Sequence, residues 1–280
     1  MRLAASHRGC HDRAGEIRLS AQMKGNPAPN YGIDAPLAVR NLLIVAALGV
    51  ISLITLLLGA WSKQDLIAVI AWPLIWAGLG SGAMGLWMIY DSKFGKVRER
   101  EQYLDKLAWR GDERVLDVGC GLGLFLIGAA KRLSAGRAVG IDKWQQEDLS
   151  GNNAAGTLSN AMIEGVADKV EVHTGDARKL PFDDASFNVV LSSMALHNIY
   201  NAGERQTAVR EIARVLKSGG RVLILDVRHT NQYAATLRDA GLDARCVQGI
   251  GSYLLTVITF GSIQWGYVIG SKSTIGQPRR

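Results

Sequence analysis

The stretch VLDVGCGLG, Val115–Gly123, decides how this chain is read. An apolar run carries one aspartate, Asp117, and three glycines then alternate with Cys120 and Leu122. A strand that stops at Val118 and turns through Gly119-Cys120-Gly121-Leu122-Gly123 into a helix makes a tight loop with little side-chain bulk. Such a loop lets a ligand press against bare backbone and the N-terminus of the next helix.

Outward from the loop, strand and helix signals alternate. Arg114–Val118, Arg137–Ile141, Lys169–His173, Ser186–Ser192 and Arg221–Val227 read as strands, with two more near 243–249 and 264–270. Helices are expected over 95–108, Leu122–Leu133, 151–165 and Asn231–Ala240. Asn201-Ala202-Gly203-Glu204 has the form of a capping box, opening a helix that Gly219-Gly220 should end. The alternation implies an α/β fold, a mostly parallel sheet covered on both faces, with its ligand outside the carboxyl ends of the strands.

Two ligands suit a glycine loop of this kind, a dinucleotide or S-adenosylmethionine. The dinucleotide pattern wants Gly or Ala three places after its second glycine, where Leu124 stands. Asp117 would also repel a pyrophosphate, whereas it suits a ligand with an ammonium group and no phosphate. The loop therefore favours S-adenosylmethionine.

Four motifs together resemble the class I S-adenosylmethionine-dependent methyltransferases, in particular the small-molecule group that includes the ubiquinone/menaquinone and tocopherol enzymes. They are VLDVGCGLG, VGIDKW (139–144), GDARKLPFDDASFNVVLSS (175–193) and EIARVLKSGGRVLILD (211–226), within a resemblance covering roughly 94–271. It implies a Rossmann-like seven-stranded domain in which Asp117, Gly119, Gly121 and Gly123 hold the methionine moiety. Asp142 would bind both ribose hydroxyls. Asp176 and Ala177 would border adenine, with Lys143, Trp144 and Arg178 lining that pocket. Ser192 joins the cofactor set, as does Cys120, read as a small loop residue rather than a nucleophile. Trp144 reads equally well as core. An Asn-Pro-Pro-Tyr-like sequence does not follow the fourth strand, where Ser192-Ser193-Met194-Ala195-Leu196-His197-Asn198 stands, and this disfavours amino methylation of adenine or glutamine.

Upstream lies a second oddity. Asn41–Trp61 runs 21 residues without a charge, and after Ser62-Lys63-Gln64-Asp65 a further 25 uncharged residues extend from Leu66 to Tyr90. A bilayer core takes about 20 helical residues to cross. The chain thus divides into a disordered basic tail (1–35), a transmembrane hairpin (36–92, spans about 41–61 and 66–90) and the methyltransferase domain (93–280). Trp61, Trp72, Trp76, Trp87 and Tyr90 suit membrane interfaces, Pro73 should kink the second helix, and Gly78-Leu79-Gly80-Ser81-Gly82 offers a face for close helix contact. Basic flanks at Arg40 and at Lys93, Lys96, Arg98 and Arg100, with Lys63 in the turn, place both termini and the catalytic domain on the cytoplasmic side. Met23 is an alternative start to Met1.

The net charge of +7 does not mark a nucleic-acid protein. Residues 113–271 hold 16 Lys+Arg against 16 Asp+Glu, so the motif-bearing segment is neutral and the excess sits in the ends. Three scattered cysteines show neither metal spacing nor a disulfide framework, and no metal is expected.

The chemistry asked of such a site is modest. Methyl transfer from a sulfonium needs alignment of the acceptor, and a base only where the nucleophile must lose a proton. His197 is the candidate base, with hydrogen bonding to the cofactor or capping of a turn as its equal alternative. Asp226 and His229 follow in the same region, Asp226 read as structural. Tyr200, Tyr253, Phe260 and Trp265 could wall an acceptor pocket or belong to the core. The acceptor is expected to be small and apolar or lipid-like, methylated on oxygen or carbon. The competing readings are a protein or RNA methyltransferase, and a membrane protein that binds the cofactor without catalysis.

Overall fold

The computed structural model describes residues 28–58, 65–249 and 265–273. Seven strands form one sheet: β1 Arg114–Val118, β2 Arg137–Asp142, β3 Val170–Thr174, β4 Phe187–Ser193, β5 Leu216–Asp226, β6 Leu242–Val247 and β7 Gly266–Lys272. Their order across the sheet is β3-β2-β1-β4-β5-β7-β6. The first five are parallel, while β7 runs antiparallel to both β5 and β6. The strand order reverses at β1, and the glycine loop leaves the sheet at that point, where an open α/β sheet presents its ligand crevice.

Alternation along each strand assigns side chains to two buried layers. Leu116 and Val118 face a core closed by α6 (Ala202–Val215) and α7 (Thr230–Asp239), through Val209, Ile212, Tyr233 and Leu237. Val115 faces the other, closed by α4 (Leu124–Lys131) through Leu126, Ile127 and Ala130, with Leu104 of α3 (Lys96–Leu104) behind it. Each fully buried Leu or Ile contributes about 1.5–3 kcal/mol. On the far side, α5 (Ala154–Ile163) covers β3.

Three expectations shift. The helix after Asn201 ends at Val215, before Gly219-Gly220, which lie within β5. Pairing jumps from Phe187↔Leu216 to Val189↔Arg221, so Lys217–Gly220 bulge out of the ladder, and that is where the glycines are needed. The capping box is half formed. Asn201 Oδ1 accepts from Glu204 N–H at 3.1 Å, but the Glu204 carboxylate pairs with Arg178 instead of returning to Asn201. Finally, residues 28–35 are not a disordered tail. Tyr31 is 6 % exposed, and the segment is hydrogen-bonded across the domain; residues 1–27 lie outside the described part of the chain.

Two long helices precede the domain, α1 (Pro36–Leu57) and α2 (Asp65–Tyr90), with Pro73 inside the second. They cross where glycine removes the side chain. A Cβ on Gly78 would lie 2.7 Å from Gly49 Cα, one on Gly82 would meet Ala46 Cβ at 3.3 Å, and one on Gly85 would meet Leu43 at 3.3 Å. The rising and falling numbers make the pair antiparallel, and the expected small-residue face is its contact surface. Their outer faces expose Ile44, Leu48, Ile51, Ile54, Trp76, Leu79, Leu86 and Trp87. By length and composition, α1 is the one helix among the described residues able to cross a membrane. The expectation of two membrane spans is not supported: by that criterion one helix, not two, has the length and composition of a span. A π-helical turn, Asp91–Gly95, continues α2 directly into α3.

Candidate active site

The glycine loop is held by the sheet that precedes it. Gly119 N–H and Cys120 N–H both donate to Ile141 O at the end of β2, at 2.8 and 3.2 Å. Gly119 (φ +75) and Gly123 (φ +87) are left-handed, and neither has room for a side chain: a Cβ on Gly119 would overlap Ala195 Cβ, and one on Gly123 would sit 2.8 Å from Thr157 Cγ2. Gly123 is the N-cap of α4, so the loop delivers the end of that helix to the crevice.

Asp117 is 1 % exposed, and its Oδ1 has no hydrogen-bond partner. Burial pushes its pKa up to about 7, the nearby Asp142 adds to the rise, and the Leu126 backbone N–H opposes it. Asp142 is anchored instead. Its Oδ2 accepts from Gly121 N–H at 2.9 Å, and its Oδ1 from Trp144 N–H at 2.6 Å and Asn152 Nδ2 at 3.3 Å. Asp176 is bound by Arg178 (2.6 Å) and Lys143 (2.8 Å), and these contacts, Arg178 first, hold its carboxyl well below the usual range. Burial, with repulsion from Asp117 and Asp142, keeps the Cys120 thiol protonated, which agrees with its reading as a loop residue.

One cavity of about 840 Å³ collects these groups. Asp117, Gly119, Cys120, Gly121 and Asp142 line it, as do Lys143, Asp176, Ala177 and Arg178. Three sequence-predicted cofactor residues do not. Gly123 shapes the loop from behind. Ser192 is buried, and its hydroxyl donates to Val118 O at 2.8 Å, tying β4 to β1; its neighbours Ser193 and Met194 reach the wall instead. Trp144 turns its indole N–H to Thr174 Oγ1 at 2.7 Å and packs on the core. Residues the sequence did not single out also line the cavity: Asp148, Leu149 and Asn152 after β2, and Tyr31 and Asp34 ahead of α1. Only the non-local pairing of these segments reveals them.

His197 occupies a short turn, Leu196–Asn198, beyond β4. Its neighbours Leu196 and Asn198 line the cavity, while the imidazole itself does not. His197 N–H donates to Asp226 Oδ2 at 3.0 Å, and Nδ1 stands 2.6 Å from Asp226 Oδ1 without hydrogen-bond alignment. Asp226 is fully buried and also accepts from Val227 N–H and Tyr233 OH, so the structural part read for it is present. Tyr200 and Trp265 line the cavity; Tyr253 and Phe260 lie outside the described residues. Among the described residues no His/Cys/Asp/Glu group is placed to hold a metal ion.

These residues fit S-adenosylmethionine. A buried carboxylate oxygen without a partner answers an ammonium group, and left-handed glycines with no space for Cβ leave backbone bare for a ligand. Residues 116–224 match the family model described as a methyltransferase domain. The chain is 35% identical over 134 residues to the chloroplastic 2-phytyl-1,4-beta-naphthoquinone methyltransferase of Arabidopsis thaliana, covering 46% of this chain and 49% of that protein. It is 32% identical over 127 residues to the ubiquinone/menaquinone biosynthesis C-methyltransferase of Roseobacter denitrificans, covering 45% and 47%. The chain thus spans about half the length of the curated relatives it matches. In fold it is similar to phosphoethanolamine N-methyltransferase 2 of Haemonchus contortus, solved with S-adenosyl-L-methionine, at TM-score 0.52 and 17% identity over 63% of this chain and 53% of that one. Motif, pocket chemistry and relatives converge: residues 116–224 of this chain match a methyltransferase domain, beside a pocket that fits S-adenosylmethionine.

Proposed function

We propose that the protein is a membrane-anchored methyltransferase acting on a small apolar or lipid-like acceptor, at oxygen or carbon. One observation carries this reading. The cavity lined by the glycine loop is also lined by Met84, Trp87 and Met88 of α2, so the cofactor end and the apolar hairpin share one space. An acceptor dissolved in a bilayer would reach the loop without crossing water. The exposed apolar faces of α1 and α2 support membrane seating of the whole hairpin, since soluble proteins seldom leave so large a patch uncovered. The flanking basic residues support a cytoplasmic domain. The quinone-directed relatives make an apolar ring acceptor of that kind the leading class.

S-adenosylmethionine supplies a methyl group already activated on a sulfonium for in-line displacement. Asp117 would hold its ammonium, Asp142 its ribose, and Asp176 with Ala177 its adenine edge. The apolar wall from α2 would orient the acceptor, and orientation of this kind is worth about 7–11 kcal/mol relative to free encounter. For an acceptor that must lose a proton, His197 is the proposed base. Asp226 faces Nδ1, which leaves Nε2 as the nitrogen that would take a proton once the turn carries the imidazole toward the cavity that Leu196 and Asn198 line.

The test is incubation of the purified, lipid-embedded protein with labelled cofactor and its host's lipid extract, followed by mass analysis. Label in an apolar small molecule or lipid supports the reading. Label confined to soluble polar acceptors, or removed by protease or nuclease, overturns it, and no transfer at all favours a binding protein without catalysis.

A further inference from the structure

We propose that residues 30–35 form a strap that holds the cofactor end of the cavity closed, and that seating of α1 in the bilayer keeps the strap in place. The proposal rests on the cofactor and membrane readings given above. The strap is bonded to the walls of the glycine loop along its length. Asn30 N–H donates to Asn160 Oδ1 at 2.9 Å and Asn160 Nδ2 donates back to Asn30 O at 2.8 Å. The same Nδ2 donates to Leu122 O, inside the loop, at 2.9 Å. Further on, Ile33 N–H donates to Ser150 Oγ at 2.7 Å, Ser150 N–H donates to Ile33 O at 3.2 Å, and Asp34 bridges Leu149 in antiparallel fashion.

Leu149 makes this contact matter. A Cβ on Gly121 would lie 2.9 Å from Leu149 Cδ2, so the side chain held by the strap on one side rests against the glycine loop on the other. Two buried groups lock the strap down. The Tyr31 hydroxyl donates to Glu164 and accepts from Arg100 Nη1 at 3.1 Å. The Lys96 ammonium gathers Tyr31 O (3.3 Å), Gly32 O (3.2 Å) and the Asp34 carboxylate (2.9 Å).

At its other end the strap has no slack. Ala35 N–H donates to Asp148 O at 3.1 Å, and Ala35 is itself the N-cap of α1, with Pro36 opening the helix. A shift of α1 along or across the bilayer therefore pulls on Asp148 and Leu149, both in the cavity wall. Cofactor exchange requires the strap to lift, and lifting it requires α1 to move.

The experiment uses the full chain in nanodiscs of phosphatidylcholine and phosphatidylglycerol, with S-adenosylhomocysteine as the calorimetric probe and hydrogen exchange of residues 148–152 as a second readout. Two variants are compared with the parent: Tyr31→Ala, and a flexible Gly-Ser insertion between Ala35 and Pro36 that keeps every strap contact available but uncouples it from α1. If either change lowers the closed population to about a tenth, apparent Kd rises about tenfold, and exchange at 148–152 quickens. Unchanged Kd and exchange in Tyr31→Ala overturn the strap. Unchanged values in the insertion variant overturn its coupling to α1. Failure of the parent to bind the probe overturns instead the cofactor reading beneath both. Should Tyr31→Ala not fold, Tyr31→Phe keeps the ring and loses the hydroxyl bonds. Faster exchange at 148–152 in that variant supports the strap, and parental exchange overturns it.

Discussion

Replacing Asp117 by asparagine should move stability and cofactor affinity in opposite directions. The side chain is buried, one oxygen lacks a partner, and burial lifts the pKa from an ordinary 3.8 to about 7. Because the folded value exceeds the unfolded one, the protonated group's stabilising share is complete below about pH 4 and is lost as pH rises through about 7. Above that, the folded protein bears the whole cost of an ionised buried carboxylate, on the order of 4 kcal/mol for this gap. Asparagine removes the cost but sets an amide donor where none is met, at about 1–3 kcal/mol. Asp117→Asn should therefore be more stable than the parent by about 1–3 kcal/mol at pH 8, an advantage that vanishes near pH 5. The same change removes the charge that would attract the cofactor's ammonium, worth about 1.5–3 kcal/mol or roughly 10- to 100-fold in Kd. Urea denaturation of detergent-solubilised protein at pH 5 and pH 8, with S-adenosylhomocysteine calorimetry, measures both. A variant less stable at pH 8, or one that binds undiminished, refutes the reasoning.

Gly119→Ala must place a left-handed alanine against Ala195, so the domain should lose about 1–3 kcal/mol in denaturation, with cofactor affinity falling on the order of tenfold by calorimetry. His197→Ala should lower turnover about 10²–10⁴-fold with cofactor Kd kept; near-normal turnover removes His197 from the mechanism. Gly78→Ala should force α1 and α2 apart at Gly49 and destabilise the hairpin by about 1–3 kcal/mol, read as a lower crosslinking yield between cysteines placed at Ala46 and Gly82.

Much of the sheet was legible because its signals are local. Each central strand is a short run of Val, Ile and Leu bounded by turn residues, and six of the seven begin within two residues of their expected positions, Leu216 of β5 being the exception. There the local rule misled: Gly219-Gly220 look like a helix stop, yet they serve a bulge whose need is set by the partner strand β4. The residues that carry a motif, Asp117, Gly119, Gly121, Asp142 and Asp176, line one cavity, and their cofactor roles are those proposed above. Ser192 lies behind the cavity wall and Trp144 takes the core alternative of its reading, because strand alternation and a single left-handed residue, Trp144 at φ +63, decide which way a side chain points. The packing of Tyr31 against Glu164 and Arg100 joins residues far apart in the chain, and nothing in the neighbourhood of Tyr31 announces it.

The π-helical turn at Asp91–Gly95 carries a consequence for selectivity. Because α2 flows through it into α3 without a loop, the catalytic body cannot swivel freely about the hairpin. With the hairpin seated in a bilayer as proposed, the height of the reactive centre above the lipid tails would be built in, like a stop on a depth gauge. Acceptors would be sorted by how far their reactive atom stands out from their hydrocarbon anchor, independently of ring chemistry. A homologous series differing only in spacer length should then show a single sharp optimum.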